Sequence, residues 1–355
     1  MSALHGAGLF RMLLPRSAGG GEVSPQEFIM AVEAIAGADA STGWCVGQGS
    51  GCSLAAAYLD PEIAEQVFGP SNAILAWGPT PKPENGRAVV VDGGYRVTGS
   101  WQFASGSRHA TWLGGHCFLR HPDGSLIKGD DGAPVERTML FERGKARISD
   151  VWQVMGLKGT GSDSYVVEDL YVPAGYAFKR DNLDDKRAAG PLYRFTTLNI
   201  YGMAFASVAL GIGRAMLSSF IELAGSKTPH ASRKLLRDSS VVQADVAQAE
   251  AKLASARAFL LEVVGDMWAT AQVGEPFSVE QRARLRLGST FAIHQAKDVV
   301  DTCYSAAGAT AIFESQPFER RFRDMHAVTQ QVQAQAQNFE LVGQALLGLP
   351  ASPRL

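Results

Sequence analysis

Residues Gly156 to Pro173 read GLKGTGSDSYVVEDLYVP, with three glycines, a threonine and two serines in the first nine positions. Glycine opens backbone conformations closed to other residues, and the hydroxyls both donate and accept hydrogen bonds. Such a loop lets a flat ligand lie close to main-chain N–H groups. An alternating strand pattern follows it rather than a helix, so it is neither a P-loop nor a dinucleotide-binding turn. Ser105 is the second candidate. It closes a β-rich run and precedes Gly106, so its hydroxyl either satisfies the turn or is offered to a ligand.

The elements that must position these residues fall into three zones. Residues 1–72 are Ala-rich and helical in pattern; Ser24-Pro25 with Glu27 reads as a capped helix start, and Asp60-Pro61 opens another. Residues 73–180 carry β-rich runs at Ala73–Trp77, Arg87–Val91, Tyr95–Phe103, Thr111–Leu119, Arg137–Glu142 and Tyr165–Val172. Turn clusters such as Asp92-Gly93-Gly94 separate them, and no long helix intervenes, which predicts an antiparallel barrel or sandwich. Residues 190–355 predict four long helices, at about 195–225, 233–272, 279–307 and 317–347. In the second, Val242, Val246, Ala249, Leu253, Ala256, Leu260, Val263 and Met267 repeat at spacings of four and three, the seam of a bundle.

Composition excludes other classes. With 33 basic and 35 acidic residues among 355, the chain offers no charge bias toward nucleic acid or an anionic membrane. Cys45, Cys52, Cys117 and Cys303 form no CxxC pair, and the seven histidines show no metal spacing, so no metal site is expected. No apolar run is expected to reach the ~18 residues that span a bilayer. A soluble cytoplasmic protein is the default expectation.

The order helical, β, bundle, together with GLFRMLLPRSAGGGE (8–22), ADASTGW (38–44), VTGSWQFASG (97–106), GLKGTGSDSYVVEDLYVP (156–173) and PFERRFRD (317–324), resembles the acyl-CoA dehydrogenase superfamily. The likeness covers nearly the whole chain. It implies an α-domain, a β-domain and a C-terminal four-helix bundle, a flavin between β-domain and bundle, and a homotetramer. Family members generally carry another helix before the residue matching Leu4, so the expectation is that this chain either lacks an N-terminal helix or begins at an internal methionine.

The resemblance also allows a test of chemistry. In straight-chain dehydrogenases of the family a glutamate about two turns past the Arg-Asp pair removes the substrate α-proton; here that place falls in Gln330-Gln331-Val332-Gln333. A second subgroup puts the base near the position of Met203, again not an acid. Neither glutamine nor methionine is a general base. The Arg-x-x-Phe-Gly segment that grips the FAD diphosphate has no match in GSKTPHASRKLL. WQFASG and the glutamine-rich tail instead resemble the two-component flavin monooxygenases, which include hydroxyphenylacetate hydroxylases, dibenzothiophene monooxygenases and indole oxygenases. That branch implies reduced flavin (FMN or FAD) supplied by a separate reductase, a C4a-hydroperoxyflavin formed with oxygen, and a small aromatic or heteroaromatic substrate. A divergent dehydrogenase of acyl thioesters and a non-catalytic oligomeric binding protein stay open beside it.

The resemblance places Ser105 beside flavin N5, with Thr160, Ser162 and the backbone of Gly159 and Gly161 against the ring. Trp77 and Phe103 match strands bordering the ring, and each equally suits β-domain core. His109 earns interest by proximity to Ser105; His326, alone on the last helix, reads as structural. Phenol-hydroxylating relatives carry a substrate-deprotonating histidine where Gln331 stands here. On a continuous helix Gln331, Gln335 and Asn338 share one face, which either binds substrate or meets solvent. Without that histidine, a substrate nucleophilic without proton loss, such as an indole or another heteroaromatic, is expected.

Overall fold

The computed structural model describes residues 1–230, 232–350 and 352. Its helices begin with α1 (Ser2–Gly6), α2 (Pro25–Ala38), α3 (Ala40–Ser53) and α4 (Pro61–Phe68). The strands follow: β1 (Leu75–Trp77), β2 (Gly86–Val91), β3 (Gly94–Ala104), β4 (Trp112–Arg120), β5 (Glu136–Glu142), β6 (Arg147–Ser149), β7 (Asp163–Pro173) and β8 (Ala177–Phe178). Then come α5 (Thr197–Ala224), α6 (Ser240–Gln272), α7 (Val279–Ala307), α8 (Phe318–Val328) and α9 (Gln337–Leu346).

Two compact units form. The first comprises Met1–Val23, Gln48–Gln153 and Thr160–Thr197; the second comprises Ser24–Gly47, Val154–Gly159 and Leu198–Leu355. The three zones of the sequence describe the order of elements, while the units exchange short segments of chain, the Gly156 loop being divided between Gly159 and Thr160.

In the first unit the strands run β6-β7-β3-β2-β4-β5-β8, with β1 added against β4. Most pairs are antiparallel, but β4 runs parallel to both β1 and β2. Hydrophobic alternation could not show this, because it marks strand faces and not partners. The connection from β3 to β4 therefore crosses past β2, and that crossing carries Ser105 to Thr111. Trp101 stacks on Tyr165 at 5.3 Å and tilts against Phe141, forming the aromatic core beneath this end of the sheet. Its indole N–H donates to the His116 carbonyl (3.0 Å).

In the second unit, the Ser24 side chain and Glu27 close a reciprocal capping box on α2, as their spacing predicts. Along α6, Val242, Ala249, Leu253, Ala256, Leu260, Val263 and Met267 are buried and Val246 is half-buried, so seven of the eight predicted seam positions face the core. Helix α6 packs on α7, and α7 on α8 and α9. Arg214 of α5 pairs with Glu250 of α6, and Arg321 of α8 reaches Ser219 of α5 (2.7 Å). Helix α5 is long and apolar enough to cross a membrane by length and composition, contrary to the expectation of no such run. Of its apolar window 72% is buried inside the protein, which accounts for its character.

The fourth predicted helix is not continuous. Helix α8 ends at Val328, a single tight turn occupies Val332–Ala334, and α9 begins at Gln337. Gln331 and Gln335 have extended backbone on either side of that turn. Gln331, Gln335 and Asn338 therefore do not share a helical face. The reason is local competition for backbone groups. Gln331 Oε1 accepts from the Gln333 N–H (2.7 Å), and Asn338 Nδ2 donates to the carbonyls of Val332 (2.9 Å) and Gln333 (3.1 Å).

Candidate functional site

The β unit gathers most of the predicted site residues at one end of the sheet. Register pairs Ala104 with Asp163, so the residue after β3 meets the residue before β7. Ser105 Oγ and Ser162 Oγ lie 2.7 Å apart, and Ser162 Oγ and Thr160 Oγ1 are also 2.7 Å apart. All three side chains are buried. Gly106 N donates to the Thr160 carbonyl (2.9 Å), which locks the two loops together.

An irregularity in β3 exposes an aromatic beside this chain of hydroxyls. Between Trp101 and Ala104 the ladder with β7 slips by one residue, a bulge. Phe103 sits in it with φ +56°, a conformation rare for an aromatic residue, and is 60% exposed. Trp152 meets its ring edge-on at 6.2 Å. Trp77, by contrast, is buried, with its ring T-shaped on His116 at 5.3 Å and its indole N–H unpartnered. Trp77 is thus packed among buried side chains, while Phe103 presents a face.

Two residues that sequence reasoning passed over hold the loops. Arg108 Nε donates to Asp163 Oδ2 (2.6 Å) and its Nη2 to Asp150 (2.7 Å). Gly161 has φ +48°, and a Cβ there would come within 2.8 Å of the Arg108 side chain. Arginine thus lies flat across the glycine. Asp163 stood inside the GTGSD motif, but nothing in the spacing named Arg108 as its partner. Burial pushes the Asp163 carboxyl up; the Arg108 hydrogen bond, backbone N–H groups and the Arg108 charge together outweigh it and hold the carboxyl below its ordinary range.

Replacing Arg108 with methionine is expected to cost about 1–3 kcal/mol at neutral pH, less than a fully buried pair because the guanidinium is half exposed. A carboxyl lowered by folding stabilises above its unfolded value, and the gain is lost as pH falls through the folded value. Urea titrations of the two proteins should therefore converge below pH about 4. A difference that stays constant through that range would show that the pair is not the cause.

His109 is half-buried with Nε2 unpartnered. Burial, and then the positive charges around it, Arg143 included, lower its pKa, so the ring is neutral at pH 7.

In the helical unit the predicted residues sit differently. Gly159 faces Ser41, whose Cβ lies 2.9 Å from where a Gly159 Cβ would stand. Gln331 caps the 332–334 turn. Asn338 is buried, and its carboxamide is taken up by the turn, by Thr290 Oγ1 (3.2 Å) and by Arg286 Nη1 (3.3 Å). These contacts brace the turn against α7. His326 is bound to Asp301 (2.9 Å) and packed on Phe322, as a structural histidine would be.

The β-unit loops suit a flavin. Hydroxyls can bond the polar edge of such a ring, glycine lets a flat group approach the main chain, and an exposed aromatic can pack on an apolar part.

Comparisons with known proteins agree in kind. Residues 203–336 match the model of the acyl-CoA dehydrogenase C-terminal domain. The chain is 33% identical over 333 residues to an indole-3-acetate monooxygenase from Pseudomonas putida, covering 93% of this chain and 82% of that protein. It is 31% identical over 338 residues to the flavin-dependent monooxygenase oxygenase subunit HsaA from Mycobacterium tuberculosis, with 92% and 82% covered. The crystal structure of 3-HSA hydroxylase from Rhodococcus sp. RHA1 superposes with a TM-score of 0.89 at 30% identity, covering 100% of this chain and 90% of that one.

Proposed function

We propose, for a chain that belongs to the flavin-dependent monooxygenases of the acyl-CoA dehydrogenase superfamily, that it is the oxygenase component of a two-component system. A separate reductase supplies reduced flavin, which reduces dioxygen: one oxygen atom enters a small aromatic or heteroaromatic substrate and the other leaves as water. The observation that carries this reading is the buried Ser105–Ser162–Thr160 hydroxyl chain beside exposed Phe103. Those hydroxyls orient polar atoms of the ring, the Arg108 clamp keeps them in register, and Phe103 covers an apolar edge. Either FMN or FAD meets these needs. A homotetramer working in the cytoplasm completes the proposal.

The place of the dehydrogenase base offers no acid: Gln331 and Gln333 are amides and Met203 is buried. With Gln331 standing where phenol-hydroxylating relatives carry a deprotonating histidine, the enzyme suits an indole-type substrate, in keeping with the indole-3-acetate relative.

The test supplies enzymatically reduced FMN or FAD, labelled dioxygen and a panel of indoles and phenols. One labelled oxygen per product from indole-3-acetate or indole is expected. Clean turnover of simple phenols with none of indoles would overturn the substrate class. Bleaching of oxidised flavin by an acyl-CoA without oxygen would replace the monooxygenase with a dehydrogenase.

A further inference from the structure

The helical unit holds a polar cleft of its own. Helix α5 contributes Asn199 and Gly202, α7 contributes Arg282, Arg286 and Ser289, and the 332–334 turn contributes Gln333. Arg282 and Arg286 stand one turn apart, so both guanidiniums reach the same cleft. Arg286 is only 8% exposed, and Asn338 Oδ1 accepts one of its N–H groups at 3.3 Å. The Asn338 amide is itself tied to the turn and to Thr290, which fixes the oxygen that aims Arg286.

Three buried polar atoms in this cleft have no partner: Arg282 Nε, Ser289 Oγ and Gln333 Nε2. Ser289 is 1% exposed and Gln333 2%. Orphaned buried donors cost about 1–3 kcal/mol each unless something fills their valence. No carboxylate belongs to the lining, and arginine has no acceptor to offer. The unfilled demand is thus for an acceptor carrying negative charge. The absence of a side chain at Gly202 leaves room for it. A Cβ there would stand 3.1 Å from Ser289 Oγ and 3.7 Å from Gln333 Oε1.

Size narrows the ligand. The enclosed part of the cleft is little larger than one water molecule, so what enters is a single small polar group, reaching in from the open side as a small ion or as the end of a larger molecule. Planar guanidiniums match a two-oxygen anion best. We propose that this cleft is an oxyanion site that takes a carboxylate group. Its source is either a free small carboxylate or the acid arm of the aromatic substrate; the second source rests on the monooxygenase reading and the first does not.

Thermal unfolding of the full chain tests it without flavin or oxygen. Sodium acetate is expected to raise the melting temperature by about 2 °C or more over sodium chloride at equal ionic strength and over acetamide, its neutral isostere. Arg282→Gln should weaken acetate at least about tenfold, the worth of a charged hydrogen bond. Gly202→Ala should abolish the response by filling the floor, and alanine is the better helix former, so that loss is not a loss of fold. Competition between acetate and indole-3-acetate, with the methyl ester inert, identifies the substrate's arm as the source; acetate binding alone identifies the free ion. An equal rise with chloride or acetamide, or a full acetate response in both variants, overturns the site. Either result leaves the oxygen-labelling test standing, so the two proposals fail separately.

Discussion

Gly156→Ala is expected to destabilise the helical unit by about 3 kcal/mol or more, at the upper end of what overpacking does. A Cβ at Gly156 would lie 2.0 Å from the Arg323 carbonyl oxygen, 2.4 Å from its carbon and 2.8 Å from Asp324 N. All three are backbone atoms of α8, so no rotamer change makes room. The segment is also bonded where it lies: Leu157 N donates to Asp324 Oδ1 (2.6 Å), and Arg323 Nη1 donates to the Met155 carbonyl (2.5 Å). Moving the chain to admit a methyl breaks both. Asp324 would suffer further, since burial already pushes its carboxyl up and the Leu157 N–H, ahead of the Arg320 and Arg323 charges, opposes that. Gly343 is the control. Nothing lies within 4 Å of its would-be Cβ in α9, so alanine there is expected to be neutral or to stabilise by up to about 1 kcal/mol. Urea midpoints for the two variants decide. Equal stabilities would mean that the 154–159 segment is not seated on α8.

Much of this was legible from residue types, and the exceptions share a cause. The capping box at Ser24 and the α6 seam are encoded within a few turns of chain, so local pattern sufficed. The six main strands were visible in the same way, and the hydroxyls of the motif containing Gly156 lie within reach of Ser105. What was not legible depends on residues far apart in sequence. The parallel pairing of β4 with β2 needs a crossover that no alternation encodes. The break before α9 is set by Asn338 and by Thr290 Oγ1, which donates to the Gln333 carbonyl (2.8 Å) from 43 residues away. Glutamine is a good helix former, so the run Gln330 to Gln337 carries no local stop signal. Arg108 looked like one more surface arginine until Asp163 was placed beneath it.

Ser162→Ala should then separate the chemistry from the scaffold. Ser162 is the middle of the hydroxyl chain, 2.7 Å from both Ser105 and Thr160. Three hydroxyls hold three protons, and two links use two of them. In a head-to-tail orientation the third O–H lies at the Ser105 end or the Thr160 end according to the direction of the chain. Each link polarises the next, so the terminal donor is stronger than a lone hydroxyl. Alanine at 162 removes both links without adding bulk. The stability cost should be modest, about 1–2 kcal/mol. Coupling should suffer more, because a preorganised donor in a buried site is worth far more there than in water. The expected result is a fall of about tenfold or more in product formed per reduced flavin consumed, with hydrogen peroxide making up the difference. Ser107→Ala is the matched comparison: Ser107 is equally buried but reaches only the Gly161 carbonyl, at 3.4 Å, and should leave coupling close to wild type. Peroxide yield and urea midpoint measured on both variants distinguish a donor from a brace. If Ser162→Ala loses stability and keeps its coupling, the hydroxyl chain holds the loops and does nothing for oxygen transfer.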